Sequence, residues 1–196
     1  MKFQSAIVLP TSDGLTICVI DDHYDLKQNC RTRAGELLYK AKYCGSGPRS
    51  QQMAAELGQQ LGEVACFLRE RRGRPGEKLT LVDAVCAVPF FENRALSVPH
   101  VLAAKVAEAL QVEDLSSHVS KTRSTEPSKF NSDHTVDGTQ FTMEAAVRGR
   151  RIAVVDDVVM SGATLASLAK ALLRDGAHSA EVGLCATRAR YGMSED

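Results

Sequence analysis

The sequence predicts an α/β domain: an open, mostly parallel sheet with helices on both faces and a small N-terminal appendage. Three observations carry this. Short apolar runs rich in Val, Ile and Ala recur at LTLVDAVCAV (79–88), RIAVV (151–155) and AEVGLCAT (180–187), the pattern of strands buried on both faces. Between them lie segments whose apolar residues repeat at helical spacing, with Gly and Pro at their borders. Strands that alternate with helices close most readily into a parallel sheet. The expected division is an N-terminal segment of strands and a hood-like stretch over 1–48, followed by the main α/β core over 49–196.

At the N-terminus, QSAIVL (4–9) and LTICVI (15–20) flank the turn signal TSDG and read as a hairpin or two edge strands. From Ser50 to Arg72, Met53, Leu57, Leu61, Val64 and Leu68 share one helical face, with Ser50 expected as N-cap and Gly73 as terminator. RRGRPGEK (71–78) reads as a loop before the 79–88 strand. Ser97 caps the next expected helix, with Pro99 in its first turn and Leu102, Val106 and Leu110 inward. Residues 116–138 are polar and without periodicity, which reads as a long loop. Strand 151–155, helix 163–174 with Leu165, Leu168 and Leu172 inward, Gly176 as its C-terminal cap and a last buried strand complete the expected order.

Composition narrows the function classes. At 196 residues the chain can bury a substantial core, and its 24 basic residues balance 24 acidic ones, so no general basic field argues for nucleic-acid or membrane adhesion. Any anion must be recognised locally. The six cysteines are scattered without a C-x-x-C pair and read as buried small hydrophobes in a reducing compartment. The first residues lack the apolar core of a signal peptide, and no run approaches the roughly 18 apolar residues of a membrane span. A cytoplasmic protein without a membrane partner is expected. RERRGRPGEK (69–78) leaves nucleic acid open as a partner, although it has no interleaved aromatics and reads better as a solvated helix end. GSGPRS (45–50) starts like a dinucleotide fingerprint, but the third glycine is missing and Pro48 breaks the turn into the helix. The five histidines, 23, 100, 118, 134 and 178, show no metal-ligand spacing.

The most informative stretch is RIAVVDDVVMSGATLASLAKALLRDGA (151–177). A strand ending near residue 155 would place Asp156 and Asp157 at its carboxyl end, where open α/β sheets bind ligands. The following turn would deliver a helix N-terminus to the same edge. Backbone N–H groups from Met160 to Thr164, the hydroxyls of Ser161 and Thr164, and the helix dipole suit a phosphate, and Gly162 permits close approach. Two carboxylates repel a phosphate, so they must serve another part of the ligand, either sugar hydroxyls or a Mg²⁺ shell. A phosphorylated sugar is the ligand this implies.

IAVVDDVVMSGAT resembles the phosphoribosyl pyrophosphate (PRPP) motif of type I phosphoribosyltransferases. AGELLYKAKYCGSGPRSQQMAAELGQQLGEV, followed by VDAVCAVPFFENR, is similar in layout to the ComF family of competence-associated, phosphoribosyltransferase-like proteins. The resemblance implies a type I phosphoribosyltransferase-like fold and transfer of phosphoribose from PRPP to a nitrogen acceptor, with pyrophosphate release and Mg²⁺ held at Asp156 and Asp157. It implies that Val159, Met160, Ser161, Gly162, Ala163 and Thr164 hold the 5-phosphate, and that Val88, Pro89, Phe90 and Arg94 line the pyrophosphate. The loop after residue 116 would then act as a lid, with Lys121 and Arg123 joining the acid pair in catalysis. The acceptor would be read near Thr187 to Tyr191 and by the segment before the first core strand. A non-catalytic PRPP- or nucleotide-binding accessory in DNA uptake or defence is the alternative, and a homodimer stays open.

Overall fold

A computed structural model describes residues 6–10, 14–44, 47–71, 74–90, 96–122 and 140–189. The hairpin forms as expected. β1 (Ile7–Pro10) pairs antiparallel with β2 (Thr16–Asp22). Two short strands, β3 (Tyr24–Asp25) and β4 (Cys30–Arg31), make a small ribbon that leads into helix α1 (Arg33–Tyr43).

Helix α2 (Pro48–Arg69) begins earlier than expected. Gly47 is its N-cap and Pro48 occupies the first turn, so the proline that seemed to break this turn starts the helix, where its missing N–H costs no hydrogen bond. Ser50 lies inside the helix and is buried. Glu70 is the C-cap, and Gly73 lies outside the described residues. The expected 71–78 loop is instead largely helix α3 (Arg74–Thr80). The following strand is correspondingly shorter: β5 spans only Ala84–Ala87, because Leu79 and Thr80 complete α3. Helix α4 (Val98–Leu110) has Ser97 at its N-cap as expected, although the Ser97 hydroxyl meets His100 Nδ1 at 2.7 Å and makes no capping bond.

After the two-residue strand β6 (Glu113–Asp114), the expected 116–138 loop opens with a 3₁₀ turn over Ser116–His118 and then β7 (Val119–Lys121). β7 pairs antiparallel with β8 (Phe141–Met143), so the start of this segment is a ribbon. β9 runs Arg151–Val159, four residues beyond the expected end, and is followed by α5 (Ala163–Arg174) and β10 (Ser179–Arg188). Gly176, with φ +99°, follows the Asp175 C-cap of α5 in the left-handed region that glycine adopts without strain.

The main sheet has the order β1-β2-β10-β9-β5-β6, parallel except for β1. The segment expected as an appendage thus contributes two strands to this sheet. Alternate residues of β9 feed opposite cores. Ala153 and Val155 join a cluster with Leu38, Leu57, Leu61 and Leu102 of α1, α2 and α4. Ile152 and Val154 join Leu165, Leu168 and Leu172 of α5, with Phe141 from β8. Helices do cover both faces, α1 to α4 on one and α5 on the other, and the period-two alternation that sorts the strand residues is the pleat itself. Cys18, Cys86 and Cys185 are buried as expected, whereas Cys30 and Cys44 are exposed. Burial pushes the Cys18 and Cys86 thiols up to about 12, which keeps them protonated and inert.

Candidate functional site

β5 ends opposite Val155, and just past it the Val88 N–H donates to the Val155 carbonyl at 2.8 Å. On its other side β9 stays paired to β10 as far as Val159. Asp156 and Asp157 are therefore not the end of their strand, as the sequence suggested. They are the part of β9 that outruns β5, and they border the notch this leaves at the carboxyl edge of the sheet. Val88 and Pro89, both buried, and Phe90, 45% exposed, continue from β5 along that notch. Arg94 lies outside the described residues, as do Phe91, Glu92 and Asn93.

The turn behind the acid pair is built as expected. Val159 ends the strand, Met160 and exposed Ser161 follow, and Gly162 adopts φ +80°, the left-handed conformation that an L side chain would strain. Gly162 is the N-cap of α5 and, having no side chain, makes no capping bond itself. Ser161 Oγ accepts the Ala163 N–H at 3.3 Å. The first turn of α5, through Thr164, thus presents its N–H groups and the positive end of the helix dipole at the sheet edge.

The electrostatics of the acid pair depend on two lysines. Lys42 Nζ of α1 donates to Asp157 Oδ1 at 2.9 Å, across 115 positions of chain, and both side chains are largely enclosed, 24% and 12% exposed. Asp156 Oδ1 accepts the Asp157 N–H at 2.8 Å. Burial, and after it repulsion from Asp157, raises the Asp156 carboxyl well above the ordinary carboxylate range, with the Asp157 N–H, Lys42 and Lys121 opposing. Burial alone would lower the Lys42 ammonium; attraction by Asp157 and the hydrogen bond the ammonium donates to that carboxylate, with the fields of Asp156 and Tyr43, outweigh it and leave it raised. Burial lowers the Lys121 ammonium, and Asp156 pulls against that. The field of Lys121 of β7 thus reaches Asp156, while Arg123 lies outside the described residues.

Sequence reasoning missed Lys42. It reaches the site because α1 is tied to the end of β10. His23 N–H donates to the Arg188 carbonyl at 2.8 Å, His23 Nδ1 meets Thr187 Oγ1 at 3.3 Å, and Arg188 Nε pairs with Asp22 Oδ1 at 2.6 Å. Thr32 then caps α1, accepting the Gly35 N–H at 3.1 Å while its hydroxyl donates to the Asp22 carbonyl at 2.6 Å. A Cβ at Gly35 would overlap the His23 carbonyl, so only glycine allows α1 to sit this close. The available signal was weak: LLYKAK (37–42) has helical periodicity and lies in the stretch similar to the ComF layout, but nothing in it points to an acid 115 positions away. Of the expected acceptor region, Thr187 is buried and Arg190 and Tyr191 lie outside the described residues, as does His134.

Among the described residues, no group of three or more His, Cys, Asp or Glu side chains is arranged to hold a metal ion, and no helix is long and apolar enough to cross a membrane. An open depression lined by Glu144, Arg148 and Arg174 lies near the C-terminal end of α5, at the opposite end of that helix from the acid pair.

No family model matches the chain. The chain is similar to the DNA utilization protein YhgH of Escherichia coli K12 and of Shigella flexneri, each 32% identical over 117 residues, which is 56% of this chain and 52% of the relative. The chain thus spans about half the length of the curated relatives it matches. These findings correct the identifications made from IAVVDDVVMSGAT and from the ComF-like layout of 34–64 and 82–94. No phosphoribosyltransferase family matches, and the relatives bear the name of DNA utilization. A strand, an acid pair and a small-residue turn are a local solution to presenting carboxylates beside a helix start, and such a solution does not fix a family.

Proposed function

We propose that this chain is a non-catalytic accessory protein of DNA utilization that binds a nucleotide or a related sugar 5-phosphate at the carboxyl edge of its sheet. The observation that carries the reading is the convergence of the Asp156–Asp157 pair with the start of α5, where Gly162 is the N-cap, at the carboxyl edge of the sheet. The N–H groups after Gly162 and the hydroxyls of Ser161 and Thr164 take the phosphate, as helix starts do. The carboxyl oxygens of Asp156 and Asp157 take the sugar hydroxyls. The accessory role rests on the DNA utilization relatives, and the binding role on the site itself.

Titration calorimetry with ribose 5-phosphate, AMP and dAMP tests it. Ribose 5-phosphate and AMP bind, dAMP binds more weakly because it lacks one hydroxyl for the acid pair, and Thr164→Val and Asp157→Asn weaken both productive ligands. Absence of binding by wild type, or unchanged binding in both variants, refutes the site. For the accessory role, a strain lacking the protein grows poorly with DNA as nutrient and recovers with the wild-type gene. Pyrophosphate release from PRPP in the presence of a nucleobase would overturn the non-catalytic reading.

A further inference from the structure

The carboxylate pair invites a divalent cation, and the side chains around it do not fit one. Asp157 Oδ1 is already held by the Lys42 ammonium at 2.9 Å. Asp156 Oδ1 is turned back onto the N–H of Asp157. Lys121 lies near enough for its field to act on Asp156. Asp157 thus already has an ammonium as its partner, and the field of Lys121 reaches Asp156, so a Mg²⁺ at Asp157 would meet a like charge and compete with an ion pair already formed. Mg²⁺ sheds its waters reluctantly and is usually held by carboxylates and phosphates with no cation between them.

Lys42 is also placed with some specificity. Its neighbour Lys40 turns outward to Glu36 of the same helix at 3.2 Å, the ordinary pairing of an exposed lysine. Lys42 instead points into the sheet edge, and the tie from α1 to β10 fixes where its stem begins. An ammonium carried by the fold can perform the electrostatic task of a metal ion here, which is to let an anionic sugar phosphate lie beside two acids.

We propose that Lys42 is the cation of this site, and that it lets the notch take its sugar phosphate without a divalent metal. The ligand part rests on the function proposed above, whereas the exclusion of metal by Lys42 does not. Mn²⁺, followed by electron paramagnetic resonance, serves as the metal probe, with circular dichroism to confirm that each variant is folded. Wild type and Lys42→Arg take up no Mn²⁺ at the acid pair, whereas Lys42→Met gains a site that Lys42→Met combined with Asp157→Asn loses. If Lys42→Met does not fold, Lys42→Gln replaces it. Ribose 5-phosphate binds wild type equally with EDTA or Mg²⁺, while Lys42→Met binds it about tenfold more weakly and recovers when Mn²⁺ is added. That acquired metal dependence is a response a merely structural lysine would not give. A wild-type Mn²⁺ site abolished by Asp157→Asn, a folded Lys42→Met or Lys42→Gln that gains none, or wild-type binding that requires Mg²⁺ would each overturn the proposal. Failure of wild type to bind ribose 5-phosphate under any condition would refute the sugar-phosphate reading, and the Mn²⁺ result would still decide the role of Lys42.

Discussion

The two halves of the notch are held in place by different means. The β9–α5 half is one continuous run of chain wedged in the centre of the molecule: β9 is flanked by strands on both sides, and Leu165, Leu168 and Leu172 of α5 are buried against it. The α1 half packs on the opposite face of the sheet, and the position of its start is set by a few polar contacts and one close approach, at Thr32, His23 and Gly35. The first half cannot shift without opening a core. The second is anchored in a core too, by Ala34, Leu38 and Ala41, but its start is set by contacts that a single substitution removes. Residues that must be rigid, the acid pair and the phosphate turn, sit in the first. The charge that tunes them, Lys42, comes from the second, where a small movement of the helix would alter the electrostatics without unfolding the protein.

Four perturbations test that contrast. Leu168→Ala, at a fully buried position in α5, should cost about 2–5 kcal/mol; chemical denaturation should show it as a loss shared by the whole domain, and a loss confined to α5 would break the comparison. Gly35→Ala should cost about 1–3 kcal/mol through overpacking against the His23 carbonyl. Hydrogen exchange should then rise in α1 and leave β9 protected. Equal loss in both would mean the halves are not independent. Thr32→Ala removes the α1 cap and should cost about 1 kcal/mol, with Thr32→Ser restoring most of it.

The smallest effect is a slope in pH. The folded protein holds the Asp156 proton more tightly than the unfolded chain, whose carboxyl stays near 3.8. Between that value and the raised folded one, the unfolded state is ionised while the folded state keeps its proton, so raising pH through this window lowers stability. Urea denaturation across it should show wild type losing stability relative to Asp156→Asn as pH increases. A flat difference would mean that the acid pair is not desolvated as the structure has it.

Much of the β9–α5 half is legible in the sequence because its determinants are neighbours in the chain. The bounds of α5, the left-handed Gly162 and the terminal Gly176 follow from apolar spacing and glycine chemistry. β9 runs beyond the expected end near residue 155 because pairing to β10 keeps Asp156 to Val159 extended. The start of α2 and the existence of α3 were misread for a related reason. Pro48, like the proline of RPGEKLT, sits in a first helical turn, where it is tolerated, and proline elsewhere in a helix is a breaker. β7 and β8 each have only three residues, too short for periodicity to register, and only their pairing defines them.

By itself the sequence determined an α/β sheet, the order of its larger elements, and an acid pair set before a helix start, because burial of alternating apolar residues and the backbone preferences of glycine act over a few positions. Only the tertiary structure decided that the acids line a notch rather than a strand end, since that depends on where β5 stops beside β9. It alone brought Lys42 to Asp157. A charge 115 positions away leaves no periodic trace in the chain, and its partner is settled by how α1 docks and by which charges can be enclosed only together.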